Sequence, residues 1–142
     1  MDPEKKRLPL IDVSSLIGDC DDTEAKLRCA QEIDSACREF GFFRIKGHGI
    51  PAELQQRLDS LSREFFNLPE DEKAKIAMEK GGAAWRGWFP VGGELTSGKP
   101  DRKEGLYIGE ELGLDHPLVQ AGTPLHGENL FPERPSELGS CI

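Results

Sequence analysis

The 142-residue sequence predicts an α+β fold in which helices dominate and a few short strands connect them. Three observations lead to this prediction. Two stretches carry apolar residues at steps of three and four, which is the periodicity of a helix with one buried face. Short apolar runs bounded by turn residues indicate strands. After Met78, repeated glycines interrupt any helical pattern, so a long irregular segment is expected to follow.

The first predicted elements are a strand and an amphipathic helix. Residues 8–13 form an apolar run between a charged leader and two serines, which predicts a short strand. Asp21, with Glu24 three residues later, predicts a helix start with a capping box. Gly41 stands where a helix commonly ends and suits a tight reversal with positive φ. The positions expected on the buried face of this helix are Ala30, Ile33, Cys37 and Phe40.

A second strand and two further helices are predicted next. Residues 42–45 indicate a buried strand, and Pro51 suits the first turn of a long second helix. A short third helix is expected from Pro69 to Ile76, because acidic residues at its start favour the positive end of the helix dipole. One further strand is predicted over residues 104–109. The apolar stripe of the second helix consists of Leu54, Leu58, Leu61, Phe65 and Leu68.

Composition and charge exclude several classes of protein. The net charge is −8, from 18 basic and 26 acidic residues, so a nucleic-acid partner is not expected. No apolar run approaches the roughly 18 residues that a membrane span needs, and the first residues lack a signal-peptide pattern. A cytoplasmic location is therefore expected. The cysteines Cys20, Cys29, Cys37 and Cys141 form no paired motif, and we expect Cys29 and Cys37 to be small buried apolar residues.

Five segments form an ordered series along the chain. They are LPLIDVSSL (8–16), ACREFGFFRIKGHGIP (36–51), FFNLPEDEKAKIAM (65–78), RGWFPVGGELTSGKPDRKEGLYIGEE (86–111) and HPLVQAGTPLHGENLFPE (116–133). Their content, order and spacing resemble the N-terminal region of the isopenicillin N synthase-like iron(II)/2-oxoglutarate-dependent dioxygenases.

The resemblance implies a domain organisation and a fold. Residues 1–7 are a charged leader, residues 8–133 the non-haem dioxygenase N-terminal domain, and residues 134–142 a divergent tail. In this family the N-terminal part is a helical cap whose short strands extend the main sheet. The expected fold is therefore such a cap, lacking most or all of the family's double-stranded β-helix (jelly roll).

The family's chemistry requires a specific set of ligands. Iron(II) is held by two histidines and one carboxylate, in a His-x-Asp or His-x-Glu motif followed by a distal histidine. An Arg-x-Ser motif grips 2-oxoglutarate. His126-Gly127-Glu128 and Arg134-Pro135-Ser136 fit the two triplets, but no histidine follows Glu128. Only five residues separate Glu128 from Arg134, too few for the intervening strands of a β-helix.

Both triplets are therefore interpreted as coincidences. His48 and His116 lack the neighbouring acid, and His48 between two glycines is expected to be a hydrogen-bonded turn histidine. No metal ligand and no catalytic residue is assigned to this chain: His126 and Glu128 are considered as iron ligands and rejected. Fe(II) and 2-oxoglutarate are expected as cofactors only of a full-length family member.

Arg86 is the single candidate for substrate binding. It lies beside Trp85 and Trp88, and an arginine flanked by aromatic residues could pair with a substrate carboxylate. The alternative interpretation is an exposed arginine beside core tryptophans. Glu104 and its neighbour Lys103 are interpreted as structural residues.

These observations predict a truncated member of the dioxygenase family that is not itself catalytic. The full-length family consists of oxidoreductases that oxidise a small organic substrate with O2 and 2-oxoglutarate, so a small-molecule substrate is expected only in a full-length form. The divergent tail suggests an alternative transcript, a frameshifted gene model or a fragment. One alternative is a non-enzymatic interaction or regulatory protein that uses, or self-associates through, apolar surface exposed by the missing catalytic domain. Another is a small metalloenzyme built on His126 and Glu128.

Overall fold

A computed structural model describes residues 7–142 of the chain. These residues belong to two compact units that meet in sequence between Pro51 and Ala52. Helices and short strands are both present, and the strands of residues 7–142 form three separate two-stranded sheets with no closed barrel. The predicted α+β class is therefore confirmed. The predicted charged leader, except for Arg7, lies outside the described residues.

The first unit is a strand–helix–strand arrangement. Strand β1 spans Leu10–Asp12, helix α1 spans Thr23–Glu39 and strand β2 spans Arg44–Lys46. The two strands pair in parallel, with Ile11 opposite Ile45. Both predicted strands exist, but all residues of β2 are exposed, so the expectation of a buried second strand is wrong. A two-stranded sheet covered by one helix has too little surrounding structure to bury both of its strands.

The core of the first unit differs from the predicted helical face. Its buried residues are Ile11, Val13, Cys29 and Ala36, and Ile33 and Phe43 pack against them. Ala30 and Cys37, which were expected inside, are exposed. The buried face instead follows Cys29, Ile33 and Ala36 at steps of four and three, because strand β1 packs on that side of the helix.

Both ends of α1 have identifiable signals. Gly41 follows the helix with a φ of +74°, which confirms the predicted reversal. At the N-terminus the predicted capping residue is wrong by one position. Asp22, not Asp21, accepts a hydrogen bond from the backbone N–H of Ala25 at 2.9 Å. The helix therefore begins one residue later than Asp21 would allow.

This cap gives a direct test of the first unit. Replacing Asp22 with alanine leaves an N–H of the first turn without its acceptor, and we expect a loss of about 1 kcal/mol in stability. Replacing Asp21 with alanine is the matched control, expected to stay within about 0.5 kcal/mol of the unchanged protein. Urea denaturation followed by the helical circular-dichroism signal measures both. Equal effects of the two substitutions would contradict the assignment of the cap.

The second unit begins with helices and continues with short strands. Helix α2 spans Ala52–Phe66 and helix α3 spans Glu70–Lys73, after which 3-10 turns cover Ala74–Ile76 and Met78–Ala84. The predicted second and third helices are thus confirmed. The remaining elements are the strands β3 (Gly87–Phe89), β4 (Leu95–Thr96), β5 (Lys99–Pro100) and β6 (Gly105–Tyr107), helix α4 (Pro117–Gln120) and a 3-10 turn at Gly139–Cys141.

Two antiparallel pairings organise these strands. Strand β3 pairs with β6, placing Trp88 opposite Leu106, and β4 pairs with β5 as a hairpin. The strand expected near residues 104–109 is confirmed as β6. Its partner β3 was not predicted, because glycines surround Trp88 and Phe89 and conceal the strand pattern.

The core of the second unit lies between α2 and the β3–β6 pair. Phe65 is fully buried, and Ile76, Trp88 and Leu138 are buried with it. The predicted stripe of α2 is confirmed for Leu58, Leu61 and Phe65, and Leu68 packs against the same cluster from beyond the end of the helix. Leu54, which was expected in the core, is exposed because the cluster packs on the C-terminal part of α2. Across residues 7–142, no helix combines the length and apolar composition that crossing a membrane requires.

Candidate functional site

Arg86 lies at the entrance to strand β3 and connects two loop segments. Its Nη1 donates a hydrogen bond to the carbonyl of Ala84 at 2.9 Å, and its Nη2 donates to the carbonyl of Leu125 at 3.0 Å. Its Nε is buried and has no hydrogen-bond partner within residues 7–142. The guanidinium is therefore oriented by backbone carbonyls while one of its donors stays unsatisfied.

Two residues beside Arg86 have left-handed backbones. Trp85 has a φ of 55° and Leu125 a φ of 66°, a conformation that costs a residue other than glycine about 1–3 kcal/mol. Both side chains are more than half exposed, at 55% and 56%. The N–H of Leu125 also donates to the carbonyl of Ala83 at 2.8 Å, which ties the two loops together. Exposed apolar residues on strained backbone thus accompany the candidate arginine.

Gly109 provides one wall of the Arg86 guanidinium. A Cβ added to Gly109 would lie 2.1 Å from Nη2 and 2.4 Å from Cζ of Arg86, so no larger residue fits without moving the arginine. Asn129 in turn binds Gly109 at two points. Its Oδ1 accepts from the N–H of Gly109 at 2.9 Å, and its Nδ2 donates to the carbonyl of Gly109 at 2.8 Å.

A second polar cluster, part-buried, contacts Trp88 of strand β3. Lys73 donates through Nζ to Oε2 of Glu104 at 2.6 Å and to the carbonyl of Phe66 at 3.2 Å. The indole Nε1 of Trp88 donates to the same carboxylate oxygen at 2.9 Å. The Lys73 ammonium also lies 5.4 Å from the centroid of the Trp88 ring. The interpretation of Glu104 as a structural residue agrees with these contacts.

Hydrogen bonds favour the ionised form of the Glu104 carboxyl. Partial burial would raise the pKa of Glu104, but the hydrogen bonds from Lys73 and Trp88 outweigh it and hold that pKa below its ordinary value of 4.5. The Trp88 indole is thereby held between the carboxylate of Glu104, which directly precedes β6, and the ammonium of Lys73 from α3. This arrangement anchors β3, the strand that Arg86 precedes.

An exposed cluster links the β4–β5 hairpin to β6. Tyr107 donates a hydrogen bond to Glu94, and Lys103 lies 2.8 Å from the other oxygen of that carboxylate. Lys103 first, and Tyr107 second, lower the pKa of Glu94, while the bond to Glu94 raises the pKa of Tyr107. The Tyr107 ring also packs on Phe89, with centroids 5.2 Å apart. The hydroxyl therefore holds the hairpin in place.

The histidines of the chain are engaged in local turns. Nδ1 of His48 accepts from the N–H of Ile50 at 3.1 Å, which confirms the predicted turn role. Nδ1 of His116 accepts from the N–H of Leu118 at 3.3 Å, and Nδ1 of His126 lies 2.9 Å from the carbonyl of Pro124. These bonds orient each ring toward its own loop.

The donors that iron would need do not come together in the described residues. His126 and Glu128 line a cleft of about 300 Å³ with mainly apolar neighbours. Between residues 7 and 142 no group of three or more histidine, cysteine or acidic side chains could hold a metal ion. The residues present therefore do not fit the two-histidine, one-carboxylate set that non-haem iron requires.

The Arg-x-Ser triplet of the tail has a different partner. Nη2 of Arg134 lies 3.5 Å from Oε2 of Glu72, the carboxylate oxygen that Lys75 also contacts at 2.9 Å. Ser136 is exposed. Arg134 thus belongs to an ion-pair network at the surface. Its guanidinium faces the carboxylate of Glu72 in the same chain.

Comparison with known proteins identifies the family. The family described as "non-haem dioxygenase in morphine synthesis N-terminal" matches residues 8–134. This chain belongs to the non-haem dioxygenase N-terminal family. A crystal structure of a 2OG-Fe(II) oxygenase family protein from Caulobacter crescentus superimposes with a TM-score of 0.68 at 23% identity. The match covers 95% of this chain and 41% of that protein, so the dioxygenase N-terminal region has the fold of part of an oxygenase.

Curated relatives of this dioxygenase region are similar over nearly its whole length. A protein of Dictyostelium discoideum named a probable iron/ascorbate oxidoreductase is 54% identical over 94% of this chain. A homoarginine-6-hydroxylase of rice is 41% identical over 96%, and a 2-oxoglutarate-dependent dioxygenase of Talaromyces stipitatus is 37% identical over 89%. The chain spans only 37%, 42% and 39% of these three relatives.

Sequence reasoning missed Gly109 and Asn129 as part of the candidate site. Twenty positions separate the two residues, and neither belongs to a periodic element that would predict contact. The available signal was an asparagine in a stretch with turn residues, which indicates a hydrogen-bonded loop but does not identify the partner of the side chain.

Proposed function

We propose that this chain is the substrate-facing N-terminal region of an iron(II)/2-oxoglutarate-dependent oxidoreductase that acts on a small organic molecule. The observation that carries the proposal is the family match over residues 8–134, together with relatives that are more than twice as long. On this proposal Fe(II) and 2-oxoglutarate are bound by the part of the longer protein that this chain lacks. The 142-residue chain alone is then not catalytic.

The proposal assigns Arg86 to the binding of a substrate carboxylate. Two of the five guanidinium N–H groups are engaged by carbonyls of the described residues, which leaves donors for an incoming anion. Because Nε is buried, the donors left for a ligand are the second N–H groups of Nη1 and Nη2, and two parallel donors suit a carboxylate. The rice relative is named for homoarginine, an amino acid with a carboxylate, which supports the same substrate class.

Turnover measurements test the non-catalytic part of the proposal. The purified chain, supplied with Fe(II), ascorbate and 2-oxoglutarate, is expected to release no succinate above an iron-only control. The matched variant His126→Ala is expected to give the same background. Turnover by the unchanged chain that the variant abolishes would refute the proposal and favour a metalloenzyme built on His126.

The source transcript provides an independent test of the longer protein. We expect a form that continues in frame to a His-x-Asp motif, a distal histidine and an Arg-x-Ser motif. When expressed, that form is expected to bind Fe(II) and to consume 2-oxoglutarate. An uninterrupted gene that encodes only the 142 residues would contradict this part of the proposal.

An interaction or regulatory protein is the second candidate, and exposed apolar residues of the first unit favour it. Phe42 is 73% exposed, and the half-exposed residues Leu10, Leu27, Ile45 and Ile50 belong to the same unit. Large exposed apolar patches mark surfaces that bind partners or self-associate. Light scattering and binding of a hydrophobic dye separate the two candidates. A monomer that binds no dye would argue against an interaction surface.

The proposal also includes a cytoplasmic location and excludes nucleic acid and membranes as partners. The net charge of −8 supports the exclusion of phosphate backbones and anionic lipids. The four cysteines are all unpaired among the described residues, as expected in a reducing compartment. Fractionation of cells that express a tagged chain measures the location, and recovery with membranes would contradict it.

A further inference from the structure

The contact with Gly109 restricts the plane of the Arg86 guanidinium in addition to its two bonds to backbone carbonyls. The added-Cβ distances of 2.1 Å to Nη2, 2.4 Å to Cζ and 2.8 Å to Nε span the guanidinium, so Gly109 lies against its face. The backbone of Gly109 is not among the positive-φ glycines of the chain. The glycine thus leaves the space that the guanidinium occupies, and a larger residue would displace the arginine, whereas the backbone conformation does not call for glycine. Any movement of this residue would change the room available to the arginine.

Asn129 holds Gly109 through both of its backbone polar groups. One contact uses the amide oxygen and the other the amide nitrogen, at 2.9 Å and 2.8 Å. Two bonds from one planar amide to one peptide position restrict rotation as well as translation of that position. Among residues 7–142, Asn129 is the side chain that bonds to both the N–H and the carbonyl of Gly109.

Glu111 fixes the orientation of the Asn129 amide. Nδ2 donates to Oε2 of Glu111 at 2.7 Å, and the backbone N–H of Asn129 donates to the same oxygen at 3.1 Å. A flipped amide would present its oxygen to this carboxylate and lose both Gly109 bonds. The order Glu111, Asn129, Gly109, Arg86 is therefore a continuous series of direct contacts.

We propose that Asn129 is a positioning residue for Arg86, acting through the backbone of Gly109. Bidentate binding of a carboxylate requires the guanidinium plane to be held in a fixed direction. A loosened Gly109 would let the plane rotate about the carbonyl bonds that remain. The functional consequence rests on the proposed role of Arg86 in substrate binding, whereas the positioning itself does not.

Nitrogen-detected NMR of the arginine side chains tests the positioning in the 142-residue chain. The Arg86 signals are assigned by their loss in Arg86→Lys. In the unchanged chain we expect hindered rotation of the guanidinium, seen as separate Nη1 and Nη2 signals. Asn129→Ala and Gly109→Ala are each expected to merge these signals or shift Nε. Asn67→Ala, at an exposed asparagine, is the matched control and should leave them unchanged.

Carboxylate binding is measured on the same samples with N-acetylglycine as the probe. We expect the probe to shift the Arg86 signals and to bind about tenfold or more weakly to Asn129→Ala, as for the loss of a charge-assisted hydrogen bond. Separate Nη signals that merge in Asn129→Ala without any probe binding to the unchanged chain would support the positioning and refute the substrate role. Signals unaffected by both Asn129→Ala and Gly109→Ala would overturn the positioning.

If Asn129→Ala does not fold, a less disruptive substitution at Glu111 still tests the positioning of Arg86. Glu111→Gln retains a side chain of the same length but weakens the charged acceptor that orients the Asn129 amide. We expect partial merging of the Arg86 signals with an unchanged circular-dichroism spectrum. Complete retention of the separate signals in this variant would count against the proposal.

Discussion

Replacing Glu104 with alanine is expected to lower the free energy of unfolding of the second unit by about 2–4 kcal/mol. The substitution leaves the ammonium of Lys73, a residue only 7% exposed, without its charged partner. It also removes the acceptor of the Trp88 indole N–H. Removing one member of a buried ion pair costs more than the pair itself contributes, because the remaining charge stays desolvated. The carboxylate is 25% exposed, which places the expected value below that of a fully buried pair.

Denaturation by urea, followed by the fluorescence of Trp85 and Trp88 together, measures this loss. Glu79→Ala, at an exposed glutamate, is the matched control and should change stability by less than about 0.5 kcal/mol. Adding Lys73→Met to Glu104→Ala removes the unpaired charge and is expected to recover part of the lost stability. Equal stability of the single and double variants would show that the ammonium is not the source of the cost.

The same pair predicts a pH dependence. Because the folded-state pKa of Glu104 lies below its ordinary value of 4.5, its carboxylate stabilises the fold above that pH. The contribution is lost as the pH falls through the folded-state pKa. The stability difference between the unchanged chain and Glu104→Gln, whose side chain does not titrate, should therefore shrink on acidification below about 4.5. A difference that stays constant with pH would contradict the ionised state.

Leu138→Ala is expected to destabilise the second unit by about 2–5 kcal/mol. Leu138 is 2% exposed and belongs to the same core cluster as Phe65, Ile76 and Trp88. Truncating it removes apolar contacts and leaves a cavity that the surrounding side chains fill only in part. The effect is informative because this leucine lies beyond residue 134, where the family match ends.

The control for this prediction is Leu114→Ala in the same unit. Leu114 is 74% exposed, so its truncation creates no cavity and should cost less than about 0.5 kcal/mol. Thermal unfolding followed by circular dichroism compares the two variants. A Leu138→Ala chain as stable as Leu114→Ala would mean that the tail does not contribute to the core.

The helices were predictable because their signals are local. The leucines and Phe65 of α2 repeat every three or four residues, so one face is apolar whatever it packs against. The predicted start of α1 is one residue too early. Two neighbouring aspartates can both act as caps, and the sequence does not distinguish them. The prediction of the buried face of α1 is wrong for a related reason. Apolar residues occur on more than one side of α1, and β1 selects the side with Cys29 and Ala36.

Strand β3 and the candidate site depended on contacts that no local pattern contains. The local sequence around Trp88 indicates a glycine-rich loop. Only its pairing with Leu106 in the structure makes it part of a sheet. Arg86 was singled out from its aromatic neighbours, but its acceptor on Leu125 is 39 residues away. The geometry that orients it therefore could not be anticipated.

The sequence by itself determined the family, the α+β class, the principal helices and the choice of Arg86 as a candidate. These follow from ordered motifs and short-range periodicity, which depend on residues a few positions apart. Only the tertiary structure decided which face of α1 is buried, that Lys73 and Glu104 form a part-buried pair 31 residues apart, and that Asn129 and Gly109 confine Arg86. The physical reason is that burial and charge pairing depend on distant segments brought together by folding.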